Sequence, residues 1–305
     1  MIMANMLMFA DTASAYEELA YAARALGAEP VALYAGPREG AEQITGFGAK
    51  VLYFGEIPAG AMAEDVVSCY EAAIKRENPA LVLSRAGKRD ALVAGRLAVR
   101  LGVPAVNDVS AVALTDEGAE VQHMVYGGAA VRTERVPAGS IVLLAAGAFA
   151  PDEVTAVGDI VEQPETVEPG AVKLTGTEEK QEETVDLGAA KVVLCVGRGI
   201  GSQENVDRAL EIAHKLGGEV ACTRPIAEGE GWLARSRYLG VSGATVKPQI
   251  YIGLGVSGQV QHTVGMNESA FVVAINKDKN APLMKHCDVG IVMDTDTALD
   301  VLGRL

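Results

Sequence analysis

The chain is poor in the residues on which metal and disulfide chemistry is usually built, with only four cysteines and four histidines among 305 residues. Cys69, Cys195, Cys222 and Cys287 are scattered without a C-x-x-C pair. They read as buried thiols of a reducing compartment, and their spacing leaves a disulfide framework or a thiolate metal site little support. So few histidines likewise leave few candidates for an imidazole-based metal site. No apolar run approaches the roughly 18 to 20 residues that a membrane-spanning helix needs. The apolar first ten residues have no basic residue before Arg24, and Asp11 follows them where a leader would place a small-residue cleavage site. They read as a buried first strand. Basic residues are scarce too: 26 Lys and Arg stand against 40 Asp and Glu, a formal net charge of −14. A nucleic-acid partner would require the opposite balance. The expectation is therefore a cytoplasmic protein with neither a nucleic-acid partner nor membrane insertion.

What is present is an ordinary globular composition, 49% hydrophobic and 22% charged, in a chain long enough for two domains. Short apolar runs at Met6–Phe9, Pro30–Tyr34, Lys50–Tyr53, Ala80–Leu83 and Ile141–Leu144 read as strands. Between some of them, Ala15–Leu26, Ala61–Lys75 and Arg89–Leu101 space their apolar residues by three and four, and Gly27 and Gly102 supply helix stops. That alternation predicts an α/β fold with a mostly parallel sheet. From Asp152 to Asp186 the sequence turns Glu- and Thr-rich, with Pro164, Pro169 and an acidic run at 178–183; it reads as a linker or surface excursion. A second α/β pattern follows: strands at Lys191–Val196, Glu219–Thr223, Gln249–Leu254, Phe271–Asn276 and Val289–Met293, and a helix at Asn205–Leu216. The expected architecture is two doubly wound, mostly parallel-sheet domains, 1–150 and 189–305, joined by 151–188, the second Rossmann-like.

Chemistry concentrates in the second domain. Gly197-Arg198-Gly199-Ile200-Gly201-Ser202 lies between a strand and a helix, where backbone N–H groups can meet a phosphate. Its spacing is G-x-G-x-G and not the dinucleotide fingerprint G-x-G-x-x-G, so a plain turn without a ligand is an even alternative; Arg198 favours the phosphate. At the end of the next strand, where a nicotinamide dehydrogenase places an acidic residue, stands Thr223-Arg224, which speaks against an ordinary NAD site. A surface ion pair is the alternative for Arg224. Gly240-Val241-Ser242-Gly243 lets the chain approach a flat ligand closely and aim one hydroxyl at it. Val256-Ser257-Gly258-Gln259-Val260-Gln261-His262 couples a backbone-rich turn to one imidazole, and Asn276, Asp278 and Asp294 close the next two strands. Ligands of open α/β sheets lie beyond the carboxyl ends of strands, so these residues should gather at one edge. A lone histidine at a helix start is usually a capping or packed residue; beside a redox ring it would stabilise developing negative charge.

With these motifs in hand, the second domain resembles the α subunit of electron transfer flavoproteins. Val196-Gly197-Arg198-Gly199, Thr223-Arg224, Gly240 to Gly243, Gly255 to His262, Ala274 to Asp278, Ala281-Pro282 and Asp288 to Asp294 match in order and spacing. Arg85 to Asp90, Val106 to Asp108 and Tyr126-Gly127-Gly128 match the family's flavin-free first domain more loosely. The resemblance implies FAD as cofactor, a β subunit as heterodimer partner packed on the first domain, and an acyl-CoA-type dehydrogenase or other redox partner. It further implies that Arg198, Ser257 and Gly258 hold the pyrophosphate side, that Arg224 lies by the isoalloxazine, and that Ser242 donates to the flavin N5. His262 would face the pyrimidine carbonyl and favour the anionic flavin. Asn276, Asp294 and Thr295 would hold the adenosine half, with Thr223, Leu239, Gly240, Val241, Gln259, Val260 and Gln261 lining the site. Thr223 and Val241-Ser242 replace the family's usual Ser and Gln-Thr. Pro225 to Trp232 departs from its usual Ala-Ala-Val-Asp-Ala-Gly and looks like the branch serving anaerobic acyl-CoA or carnitine-type metabolism. An NADH-dependent electron-bifurcating subunit and an adenine-nucleotide sensor without redox function are the two rival readings.

Overall fold

The computed structural model describes residues 5–126, 130–145, 147–149, 152–154, 156–176, 185 and 187–304. Gly127, Gly128 and the acidic run at 178–183 lie outside them. The chain divides into two compact units, residues 1–178 and 179–305.

The first unit is built on β1 (Asn5–Met8), β2 (Glu29–Tyr34), β3 (Lys50–Tyr53), β4 (Val82–Arg85), β5 (Ala105–Thr115), β6 (Gly118–Val125), β7 (Ala130–Pro137), β8 (Ile141–Leu144) and β9 (Ile160–Glu162). These form one sheet in the order β7-β6-β5-β8-β4-β1-β2-β3-β9, parallel except for the β5-β6 and β6-β7 pairs. Helices α1 (Tyr16–Ala25), α2 (Arg38–Gly46), α3 (Val67–Glu77) and α4 (Lys88–Leu101) accompany it. The central strands carry consecutive apolar residues, such as Met6-Leu7-Met8, Val31-Ala32-Leu33 and Val82-Leu83, because both faces are covered. Met6, Met8, Ala32, Val51 and Leu83 enter one core, while Leu7, Phe9, Val31, Leu52 and Val82 enter the other, as the two-residue period of a strand requires.

Five elements of this unit depart from the expected pattern. Helix α2 is missed because Arg38-Glu39-Gly40-Ala41-Glu42-Gln43 holds a single buried residue, Ala41; Gly40 is needed there because a Cβ would fall 2.0 Å from the Tyr34 hydroxyl. Strands β5 to β7 form an antiparallel extension whose residues are mostly exposed; even its apolar stretch Ala111 to Leu114 carries no buried residue. The segment expected to be a linker contributes β9, which pairs in parallel with β3 through Val51–Ile160 and Leu52–Val161. Bidentate contacts from Arg24 to Asp152, at 2.7 and 2.6 Å, tie its beginning to the same unit.

The second unit is a five-stranded, all-parallel sheet of β10 (Val192–Val196), β11 (Glu219–Cys222), β12 (Ile250–Leu254), β13 (Val272–Asn276) and β14 (Val289–Val292), in the order β11-β10-β12-β13-β14. Taken from its first strand this is the order 2-1-3-4-5, one of the two common doubly wound arrangements, and its topological switch lies between β10 and β12. Helices α5 (Gln203–Lys215), α6 (Val260–Thr263) and α7 (Thr295–Leu302) connect or follow the strands. Ser202 caps α5 by accepting from the Asn205 N–H at 3.2 Å. Leu194 and Val196 pack on one side of the sheet, and Val193 and Cys195 on the other. Among the described residues, no helix is long and apolar enough to cross a membrane.

Candidate functional site

All five strands of the second unit deliver residues to one edge. Gly197-Arg198-Gly199 follows β10, Thr223-Arg224 follows β11 and Gly255 follows β12; Asn276 ends β13, and Asp294 and Thr295 follow β14. At the β10/β12 switch the two backbones touch. The Gly197 N–H donates to the Leu254 carbonyl at 2.9 Å and the Gly199 N–H to the Gly255 carbonyl at 3.1 Å. A Cβ on Gly197 would lie 2.4 Å from the Gly255 oxygen, and one on Gly255, whose φ is +62°, would lie 2.6 Å from Gly199. The glycines are therefore set by the meeting of two loops.

Beyond this crossing lies a cavity of about 760 Å³ lined by Arg198, Thr223, Arg224, Val241, Ser242, Ser257, Gln259, Gln261, His262 and Asn276, together with Tyr238 and Asp278. A second cavity of about 390 Å³ is lined by Asn276, Asp294 and Thr295, with Ser202, Lys277 and Asp296. Gly199, Gly255 and Asn276 line both. An elongated dinucleotide fits this form: one large compartment for a ring system, one smaller for a nucleoside, and a side-chain-free crossing between them where a pyrophosphate can approach backbone.

Twelve of the sixteen expected site residues line one cavity or the other; Leu239, Gly240, Gly258 and Val260 do not. Leu239 is fully buried and contributes its carbonyl. Gly240, at φ +138°, allows the backbone to lie against Gln261, whose carbonyl accepts from the Val241 N–H at 2.8 Å. Gly258, at φ +78°, packs its Cα on Leu283, and Val260 is half exposed at the surface. These four shape the walls.

Several lining residues already have partners. Asn276 donates from Nδ2 to the Val256 carbonyl at 2.9 Å and accepts from the Asp278 N–H at 3.0 Å, so its amide braces the two loops that separate the cavities. Thr295 donates to the Gly199 carbonyl at 2.8 Å, fixing α7 to the glycine turn. Asp294 caps α7 by accepting from the Thr297 N–H and hydroxyl at 2.8 and 2.9 Å, which holds its carboxyl below the usual range. Arg224 is paired with Glu228 at 2.5 Å, and Glu228 in turn with Arg235 at 3.1 Å. Ser242 lies 3.3 Å from the Tyr238 hydroxyl.

His262 is 7% exposed and reaches the large cavity from the first turn of α6. Its Nδ1 lies 3.2 Å from the Leu239 carbonyl and its Nε2 lies 2.8 Å from the Tyr251 hydroxyl. Burial pushes its pKa below the ordinary imidazole value, against an opposing pull from the Leu239 carbonyl. Motif reading missed Tyr251, which lies inside the apolar strand β12 and meets His262 through space. Tyr238 and Pro225 also escaped it because they act through position in space. The buried thiols are chemically quiet: desolvation pushes Cys222 up to about 12 and Cys195 further still.

Comparison with known proteins agrees with this geometry. Residues 12–191 match the electron transfer flavoprotein domain, and residues 186–267 match the electron transfer flavoprotein FAD-binding domain. Protein FixB of Escherichia coli O157:H7 is 38% identical over 97% of this chain and 96% of its own length, and protein FixB of Shigella flexneri matches to the same extent. A UDP-GlcNAc 2-epimerase from Neisseria meningitidis, bound to UDP-GlcNAc, superposes with a TM-score of 0.34 at 12% identity, covering 98% of this chain and 90% of its own; that likeness is too slight to bear on fold or function. The chain belongs to the electron transfer flavoprotein family: it is an FAD-containing electron carrier subunit, with the FAD-binding domain matched at residues 186–267.

Proposed function

We propose that the chain works as the α-type member of a cytoplasmic heterodimer, with a β-type partner on its first unit, taking electrons from an acyl-CoA-type dehydrogenase. The observation that carries the placement of FAD is the convergence of five strand ends on two adjoining cavities that share the Gly199–Gly255 crossing. In this reading the flavin ring occupies the large cavity and the adenosine the small one. Bound there, FAD supplies the redox chemistry, and the protein supplies orientation and electrostatics.

Arg198 and the Ser257-Gly258 turn would face the pyrophosphate. Arg224 would lie along the ring, with Glu228 holding its guanidinium in place and offsetting part of its charge. Ser242, on an exposed strap anchored through Val241 to Gln261, would donate to the ring nitrogen N5. His262 would stabilise negative charge on the pyrimidine side. Asp294, Thr295 and Asn276 would shape the adenosine end, Asn276 and Thr295 chiefly by bracing its walls.

The test is reduction of the complex purified with its β partner. Rapid reduction by an acyl-CoA dehydrogenase and its substrate supports the reading. Rapid reduction by NADH with two FAD per heterodimer would replace it with an electron-bifurcating complex.

A further inference from the structure

The hydrogen bonds of His262 fix more than its position. A carbonyl only accepts, so the 3.2 Å contact with Leu239 places the proton of the neutral ring on Nδ1. Nε2 then carries a lone pair, and the Tyr251 hydroxyl at 2.8 Å must donate to it. Tyr251 is fully buried on β12, which keeps its hydroxyl protonated. The Cys195 thiol on β10, also fully buried, lies 3.8 Å from Nε2 and within hydrogen-bonding reach of the Tyr251 hydroxyl. At rest, therefore, the ring has no N–H aimed into the cavity.

Added negative charge in the cavity draws a proton onto His262, and the only ring position that can take it is Nε2. The new N–H needs a buried acceptor, since leaving it unpaired would cost about 1–3 kcal/mol or more. A hydroxyl can serve in either direction: it donates to a lone pair and accepts from an N–H. Cys195 offers a sulfur toward which the tyrosine hydrogen can turn.

We propose that Tyr251 is a positioning residue that fixes the tautomer of His262 at rest and reverses its hydrogen bond when His262 takes up a proton, so that cavity charge and protonation are coupled. The balance is one proton from solvent added to Nε2; the Tyr251 O–H bond rotates and does not break. Tyr251 and Cys195 face the ring from β12 and β10, and Arg198, Arg224 and Asp278 line the same cavity, with Arg224 paired to Glu228. His262 is the imidazole in this lining, a group whose charge can change near neutral pH. The proposal rests on the reading that places the flavin ring in this cavity, which supplies the negative charge.

The experiment is ¹⁵N NMR of the histidine-labelled chain in complex with its β partner, oxidised and after reduction with dithionite, for the wild type and Tyr251→Phe. The wild type should show the Nδ1–H tautomer when oxidised and an imidazolium when reduced. In Tyr251→Phe the cation loses its acceptor, so the proton affinity of His262 in the reduced state should fall about tenfold, the scale of one unpaired buried hydrogen bond. The slope of the flavin potential against pH should flatten accordingly. An Nε2–H tautomer in the oxidised wild type, a neutral ring after reduction, or unchanged protonation in Tyr251→Phe would each overturn the proposal. The wild-type spectra alone decide the first two points, so a poorly folding variant leaves the test intact. A complex without flavin would instead refute the cavity assignment, and the resting tautomer of His262 can still be read from it.

Discussion

At the residue scale, His262 is held as a neutral, fully bonded imidazole and not as a resident cation. Its effect on the flavin therefore comes from a hydrogen-bonded dipole and from the charge it can acquire. Replacing it with Phe should lower the flavin potential by about 60–120 mV, taking one to two factors of ten at 59 mV each for a one-electron step. Spectroelectrochemical titration measures this, and an unchanged potential would remove His262 from the tuning role. The same burial has a consequence for folding. Because the pKa of His262 is lowered in the folded chain, the unfolded state binds more protons between the lowered folded value and the ordinary 6.5. Its contribution to stability is complete above about pH 6.5 and declines as pH falls through that window. Thermal melts of wild type and His262→Phe should show a smaller loss between pH 7 and pH 5.5 in the variant. The sequence exposed His262 itself because it ends a small-residue turn. It concealed Tyr251, since an aromatic between Ile250 and Ile252 reads only as core, and no spacing rule links two residues that meet through different elements.

At the element scale, the site is a product of strand order. Once β10 and β12 are neighbours, the loops that follow them must cross at Gly197, Gly199 and Gly255, and the cavities open on either side. Gly255→Ala should cost about 2–4 kcal/mol, combining an unfavourable left-handed backbone with a Cβ placed against Gly199. Differential scanning calorimetry should show a clear fall in Tm together with flavin loss; an unshifted Tm would mean that the crossing is looser than described. The parallel strands were legible because full burial writes continuous apolar runs such as Ile141-Val142-Leu143-Leu144. The antiparallel extension β5-β6-β7 was not legible, because its mostly exposed residues mix Asn, Asp, Glu, Arg and Thr with short apolar stretches such as Ala111 to Leu114, none of whose residues is buried. The same applies to β9, three residues added to a sheet edge by backbone bonds. Site residues at strand ends were readable for the complementary reason: glycines, hydroxyls and amides there interrupt a pattern that is otherwise apolar.

At the scale of the whole molecule, the second unit gathers the Gly197–Gly255 crossing and the two cavities beside it, and among the described residues of the first unit no such crossing is found. That division suits a subunit in which one part assembles and the other carries the cofactor. The most direct measurement is the FAD content of the complex with its β partner, for the wild type and for Ser242→Trp. Ser242 is exposed and lines the large cavity, so the indole blocks the ring compartment without entering either core. The account predicts one FAD per copy of this chain in the wild type and its loss in Ser242→Trp, with the heterodimer and its circular dichroism preserved. A flavin-free wild-type complex, or full retention of FAD at this chain by Ser242→Trp, would contradict it.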